Sequence, residues 1–312
     1  MAGSCSTCCA SSPVGGSAVR ILYNPAAGSG RGARAIVGIR AAFARFGFLD
    51  VRATAHAGDE ERLVAEAIAD GLETLVVVGG DGTFSNVAGP LAAAGSPLCL
   101  GLIPSGTGND FVKTLGLGPG APADQAHRLA EALAKGLARE RRVDMGRIAG
   151  HWFLNVAGIG FDVACNTLAE RLRPLPGAPR YLVAALAEAV RYQALPLALD
   201  EGAMRPHLLA VFSNGAHFGG AFHVAPGARI DDGHLDAIAF LDVPRWRRLP
   251  LLLSALRGGH LGDPACTHRR GAAFTVRCAS APWVEVDGEL RLAPSAEVAV
   301  VSVPGALRLV TP

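Results

Sequence analysis

Three times before Phe111, a short apolar run ends in a glycine-rich turn and gives way to a stretch with helical spacing. Val19 to Tyr23 leads into Asn24-Pro25-Ala26-Ala27-Gly28-Ser29-Gly30, and Thr74 to Val78 into Gly79-Gly80-Asp81-Gly82-Thr83. Leu98 to Ile103 leads into Pro104-Ser105-Gly106-Thr107-Gly108-Asn109-Asp110. Unalternating apolar runs bounded by turn residues suit strands covered on both faces, as in a parallel sheet. The intervening segments carry apolar stripes. Ile36, Ile39, Phe43 and Phe46 fall three and four apart, with Gly47 as a stop. Leu63, Val64, Ala67 and Ile68 form a second stripe behind Asp59, Glu60 and Glu61, acids well placed at a helix N-terminus. Asp124 to Ala138 reads as a third helix. Alternating strands and helices predict an α/β layer with a parallel sheet.

Beyond Val143 the helical spacing weakens, except around Tyr181 to Tyr192. Short strand-like runs then alternate with Gly, Asp and Pro turns: Leu208 to Ser213, His234 to Leu241, Ala272 to Val276, Val284 to Val286 and Val298 to Val303. That texture predicts a mainly antiparallel β-sandwich or open barrel as a second domain, with the boundary near Asp144. A chain of 312 residues has room for both.

Composition excludes other classes. A net charge of +2 gives no field to hold nucleic acid, so no nucleic-acid partner is expected. No apolar run approaches the roughly 20 residues of a spanning helix, and the first residues lack the pattern of a secretory signal. Seven cysteines, an odd number in a long chain, argue for a reducing cytosol. Cys5, Cys8 and Cys9 have no second ligand pair at zinc spacing, so residues 1–18 are read as a disordered leader with exposed thiols.

Glycine loops at the C-terminal ends of parallel strands lie side by side on one sheet edge, where open α/β sheets take ligands. Glycine lets the backbone approach a phosphate, and a following helix N-terminus offers unpaired N–H groups to it. The pattern is neither a P-loop nor a dinucleotide fingerprint. Asp81, in the middle of its loop, would repel phosphate without a cation between them, which implies Mg²⁺.

Asn24-Pro25 with Gly28, the Gly79 to Thr83 motif, and Pro104-x-Gly106-Thr107-x-Asn109-Asp110-Phe111 together resemble the diacylglycerol kinase catalytic domain, in that family's order and spacing. The likeness is greatest to the bacterial soluble lipid kinases, relatives of the sphingosine and ceramide kinases. It continues through Asn155 to Asp162, Asp231-Asp232-Gly233-His234-Leu235 and Val286-Asp287-Gly288-Glu289. The resemblance implies an ATP-binding domain over 19–143, joined by the last strand at about 300–312, and a β-rich acceptor domain over 144–299. It also implies ATP contacts from Asn24, Pro25, Ala26, Ala27 and Gly28, from Thr54, from Gly79, Gly80, Asp81, Gly82, Thr83, Phe84 and Ser85, and from Thr107. Asp81, Asp110 and Asp144 become a carboxylate network around a water-bound Mg²⁺. A second, structural Mg²⁺ falls to Asp232 with main-chain carbonyls of Arg229 and His234. The turn carrying Asp287 and Glu289 supplies the general base, and the residues alone do not choose between the two.

Plainer readings stand beside these. Thr54 can be a strand-end residue, Asp110 a helix N-cap, Asp144 a boundary turn, Asp232 part of a type I′ hairpin, and Asp287 part of an ordinary turn. Phe84-Ser85-Asn86 departs from the family, which usually continues with a hydrophobic residue, Asn and Glu. Ser29 stands where a phosphate-loop Lys is common, with Arg31 as a longer-reaching substitute, and Lys113 stands where Arg is common. The function implied is transfer of the γ-phosphoryl group of ATP to a hydroxyl of a diacylglycerol-like or sphingoid lipid. The alternatives are a kinase of a soluble polyol or nucleotide, and a non-catalytic nucleotide or lipid sensor. The resemblance further implies a role in phospholipid biosynthesis and a cytoplasmic enzyme in peripheral contact with the inner membrane face, with a homodimer left open. Trp246-Arg247-Arg248 with Leu249 to Leu256 reads as a buried helix with a basic cap in preference to a membrane-touching amphipathic patch.

Overall fold

The computed structural model describes residues 18–117, 120–172 and 177–312. The leader expected over 1–18, with Cys5, Cys8 and Cys9, lies outside the described residues apart from Ala18.

The first layer is built from β1 (Val19–Tyr23), α1 (Ala27–Ala44), β2 (Val51–Ala53), α2 (Glu60–Ala69), β3 (Thr74–Gly79), α3 (Asp81–Ala93), β4 (Cys99–Pro104), the short α4 (Asp110–Thr114) and α5 (Pro122–Ala134). β2, β1, β3 and β4 are parallel neighbours in that order. All six residues of β3 are buried, as its unalternating sequence requires. Strand alternation sends Val76 and Val78 to one face, against Ile39 and Phe43 of α1 and Leu129 of α5. Leu75 and Val77 point the other way, into a cluster with Leu63 of α2 and Phe84 and Val87 of α3.

The remaining elements are β5 (Arg139–Ile148), β6 (His151–Phe153), β7 (Val156–Gly160), α6 (Phe161–Arg171), α7 (Gly177–Arg191), β8 (Leu195–Leu199), β9 (Arg205–Ser213), β10 (Leu235–Leu241), α8 (Arg245–Ser254), β11 (Cys266–Gly271), β12 (Ala273–Cys278), β13 (Trp283–Val286), β14 (Glu289–Leu292) and β15 (Glu297–Thr311). They form an antiparallel array, β14-β13-β7-β9-β8-β12-β15, with β10 and β11 beyond β9. Phe153, Phe212, Phe274, Val276 and Val284 fill its core.

β15 joins the two layers. Its first half pairs antiparallel with β12, and Arg308 to Val310 pair parallel with Cys99 to Gly101 of β4. β5 runs beside it through both halves, with a register break between Val303 and Leu307. The result is one mixed sheet path from an α/β layer into a β-sandwich. The run from Leu249 to Leu256 departs from the expected buried helix: α8 buries Arg248 and Leu251 but leaves Trp246, Leu249 and Leu253 exposed.

Candidate active site

The three glycine loops meet at the C-terminal edge of the parallel strands. Asn24 ties the first to its neighbours: its Oδ1 accepts the Ala26 N–H at 2.9 Å, and its Nδ2 donates to Glu60 Oε1 at 3.3 Å and Thr83 Oγ1 at 3.4 Å. Pro25 turns the chain, Ala26 sits at the cap position and Ala27 opens α1. Gly28 has φ +59°, and a Cβ there would lie 2.5 Å from the Ser105 carbonyl oxygen. Gly80 and Gly106 are in equally close contact, since a Cβ on Gly106 would lie 2.5 Å from the Gly80 Cα. Two loops therefore touch through bare backbone, which only glycine permits. Thr54 is buried, with its N–H on the Tyr23 carbonyl at 3.0 Å. Gly82 and Thr83 lie in the first turn of α3, and Phe84 is fully buried in the core rather than at the loop edge. Exposed Thr107 accepts from the Arg31 guanidinium at 2.5 Å, and Arg31 also donates to the Gly28 carbonyl at 3.1 Å. Arg31 thus places the one cation seen bridging the first and third loops among the described residues.

Asp81 and Asp110 converge. The Cβ position of Gly108 lies 3.0 Å from Asp81 Oδ2 and 3.4 Å from Asp110 Oδ2. Burial, and then the Asp110 charge, push the Asp81 carboxyl up to about 6. Asp110 does not cap α4 with its side chain; Asn109, at φ +50°, precedes the helix. Its carboxylate instead receives Lys113 at 2.8 Å and the Gly220 N–H at 2.7 Å, which seats a turn of the second domain on α4. Two acids sharing a site with one lysine form a hard oxygen pair that fits Mg²⁺. Buried Asp144 does not join them. It accepts the Gly305 and Gly233 N–H groups at 2.8 and 2.6 Å, tying β5 to the bend in β15. The Asp232 carboxylate is met by the Arg270 and Arg229 guanidinium groups and by the His234 N–H at 3.0 Å. These guanidinium groups flank the place expected for the second metal ion with the carbonyls of Arg229 and His234, and buried Asp232 Oδ2 accepts no hydrogen bond there. Among the described residues no group of three or more His, Cys, Asp or Glu is arranged as a metal site.

Asp287 lies between the layers. Half-buried and at φ +47°, it takes the Leu154, Asn155 and Val156 N–H groups at 2.6, 3.0 and 2.9 Å. A fourth donor reaches it from the first layer, the Ser85 hydroxyl at the start of α3. Burial raises the Asp287 carboxyl above its ordinary range, and the four donors oppose that rise. Glu289 is exposed and paired with Arg291. Both acids line a cleft of about 350 Å³ between α2 and α3 on one side and the β13–β14 turn on the other, with Ser85, Asn86 and Trp152.

Two further acids, not singled out from the sequence, stand behind Asp287. Glu285 is fully buried and Asp162 nearly so, and Glu285 pairs across the strands with Gly158, over which the Asp162 carboxyl lies. Glu285 Oε1 accepts the Gly288 N–H, while Glu285 Oε2 and Asp162 Oδ2 have no partner. Burial pushes Asp162 up to about 7, and burial with the Asp162 charge pushes Glu285 well up too. Both acids hold protons in the fold that they release when unfolded, so the pair stabilises fully below about pH 4 and loses that contribution as pH rises through about 7. Glu285→Gln removes one acid at constant size. Its melting temperature relative to the parent is therefore expected to improve by several degrees between pH 5 and pH 8. A difference independent of pH in paired melting curves would refute the shared burial.

A two-layer enzyme with phosphate-type loops facing an enclosed carboxylate is the architecture of a phosphotransferase. Residues 18–148 match the diacylglycerol kinase catalytic domain, and residues 155–311 match the YegS C-terminal NAD kinase beta sandwich-like domain. A diacylglycerol kinase of Mycobacterium tuberculosis is 33% identical over 306 residues, covering 94% of this chain and 95% of its own. A Pseudomonas fluorescens protein named as a YegS-like lipid kinase is 38% identical over 243 residues, covering 76% of this chain and 74% of its own. The crystal structure of a Bacillus anthracis protein assigned as a diacylglycerol kinase shares the fold at TM-score 0.75 and 22% identity, over 94% of this chain and 97% of that one. The chain belongs to the diacylglycerol kinase family, and it is a lipid kinase.

Proposed function

We propose that the protein transfers the γ-phosphoryl group of ATP to a hydroxyl of a diacylglycerol-like or sphingoid lipid, with Asp287 as the base. One observation carries this reading: the Ser85 hydroxyl donates to Asp287. An alcohol donating to a carboxylate is the arrangement the acceptor must adopt before its oxygen attacks phosphorus. Ser85 occupies that place until an acceptor displaces it. Leu154, Asn155 and Val156 hold the carboxylate in place, and burial keeps it basic. The acceptor proton passes to Asp287 Oδ2 as the acceptor oxygen bonds to the γ-phosphorus, and the bond to the β,γ-bridging oxygen breaks to release ADP. Glu289, on the lip of the cleft with Arg291, is placed to orient the acceptor.

The phosphates would lie on the backbone of Asn24 to Gly28 and Gly79 to Ser85, with Thr54 and Thr107 bordering them and Arg31 supplying positive charge. Asp81 and Asp110 are the residues that would hold Mg²⁺, which when bound neutralises phosphate charge. The acceptor would be met at the inner face of the membrane, in a cytoplasmic enzyme serving phospholipid synthesis.

Purified protein with labelled ATP and detergent micelles carrying diacylglycerol or sphingosine tests the proposal. Labelled lipid should form from at least one of them; ATP binding without transfer to either would favour a sensor. Ser85→Ala is expected to keep kcat within about threefold, because the acceptor replaces Ser85 in the working complex. A loss as deep as that of an Asp287 variant would mean that Ser85 takes part in the chemistry.

A further inference from the structure

We propose that α7 and α8 form the surface by which the protein docks on an anionic lipid bilayer. This deepens the reading above and rests on the acceptor being a membrane lipid. Each helix buries one face on the sandwich, Ala184 and Ala189 on α7, Arg248 and Leu251 on α8. Each also leaves an apolar row in solvent. On α7, Val183, Leu186 and Val190 are 44%, 41% and 60% exposed, at steps of three and four. On α8 and the turn after it, Trp246, Leu249, Leu253 and Leu256 repeat that spacing, with Trp246 76% exposed. The helices are locked together: buried Arg248 donates to the Tyr192 carbonyl at 2.8 Å and the Ala189 carbonyl at 3.4 Å, at the C-terminal end of α7. Adjacent apolar rows on two fixed helices are more than the scattered exposed residues of an ordinary surface.

Charge selects the occupant. Segments 177–191 and 245–257 hold six arginines and one acid, Glu188; Arg247 is paired with Asp263 and buried Arg248 with Asp242, which leaves four arginines outside those two pairs. Arg191, Arg245 and Arg257 are exposed and have no carboxylate partner among the described residues, and the Arg180 guanidinium lies 5.0 Å over the Tyr181 ring. Tryptophan and leucine within a rim of arginine suit the interface between headgroups and acyl chains, where the arginines meet phosphate. Two copies meeting through this face on a two-fold axis would bring like-charged rims together, which disfavours a dimer here. The place in the fold also suits a lipid acceptor. α7 packs on α6, whose first residues Phe161 and Asp162 stand beside β13 and the Asp287 turn.

The test is flotation of the full chain with vesicles of phosphatidylcholine alone or with about a third phosphatidylglycerol. The parent is expected to float with the anionic vesicles at least about tenfold more than with neutral ones, less so at high salt. Trp246→Glu with Leu253→Glu, and separately Arg245→Glu with Arg257→Glu, should each reduce that binding about tenfold or more at unchanged melting temperature. With ATP and a short-chain diacylglycerol in detergent micelles, both variants should stay within about twofold of the parent. Parent-like binding by both variants overturns the proposal, as does equal binding of the parent to neutral and anionic vesicles. So does a parent dimer that Trp246→Glu with Leu253→Glu converts to monomer, because the face would then belong to a second copy. Absence of phosphate transfer by the parent in micelles would sink the kinase reading instead, and the vesicle result still decides the surface.

Discussion

Asp287→Asn should lower kcat by about 100-fold or more while leaving the affinity for ATP within a few-fold of the parent. The amide keeps the size of the side chain and removes its basicity, and proton acceptance matters in the transition state far more than in ground-state binding. The substitution also has a structural cost. The parent carboxylate accepts four donors, from Leu154, Asn155, Val156 and Ser85. An amide offers one oxygen, so it can keep the Asn155 and Val156 bonds and must turn an NH₂ toward the Leu154 N–H. The Ser85 hydroxyl can reverse and accept from that NH₂, so the Leu154 bond is the one lost. A lost buried bond is worth about 1–3 kcal/mol, which a melting curve would register as a drop of several degrees. The chemical and structural losses separate in the assay, because a structural loss alone would spread over ATP affinity and kcat together. Glu289→Gln is the companion measurement. Exposed and paired with Arg291, Glu289 should affect mainly the acceptor KM. If both amides retained near-parental kcat on an identified acceptor, the Asp-Gly-Glu turn would not supply the base. If Glu289→Gln alone abolished turnover, the base would be Glu289.

The first layer was legible because its strands are covered on both faces. β1, β3 and β4 had to be unbroken apolar runs, and their glycines had to stand where loops touch through the backbone, as Gly80 and Gly106 do. The second layer was harder for the opposite reason. β5 reads Arg-Glu-Arg-Arg-Val-Asp-Met-Gly-Arg-Ile, with its first four residues exposed and no run to detect. What makes it a strand is its long pairing with β15, reinforced by the Glu140–Arg308 and Arg141–Asp231 ion pairs. None of these has a local signature. β6, β8 and β14 are three to five residues each, too short for a period to show.

The acids behind the site were hidden by chemistry rather than by length. Glutamate is read by default as a surface residue, so Glu285 passed as part of a strand although alternation sets it on the side of Asp287. Asp162 lay inside a recognisable motif with no role attached. Only burial of both, beside Gly158, marks them as a pair. α8 inverts the same lesson. Its leucines suggested a core helix, yet the side chain that inserts deepest at its N-terminal end is Arg248, bonded to carbonyls that would otherwise lack donors.

Asp81→Asn is expected to reduce phosphoryl transfer by about 100-fold or more without harming the fold, a combination that ordinary buried acids do not show. The side chain sits at the first residue of α3, where its Oδ1 accepts the Phe111 N–H at 3.3 Å. An asparagine retains that oxygen, so the link from α3 to α4 survives. The substitution removes one of two like charges that burial and mutual repulsion already oppose, which is why the Asp81 carboxyl is pushed up to about 6. In metal-free buffer at neutral pH the variant should therefore melt at or above the parent temperature. That cost fits the proposed role of Asp81, in which Mg²⁺ held there would offset the negative charge of the transferring phosphoryl group. Two measurements check this. Melting curves with and without millimolar Mg²⁺ and ATP should show a ligand-dependent rise in the parent that shrinks in the variant. Turnover at saturating ATP should fall with it. Parent-like turnover in the variant would remove Asp81 from the chemistry; a variant that melts well below the parent without ligand would instead make Asp81 a structural tie between the second and third glycine loops.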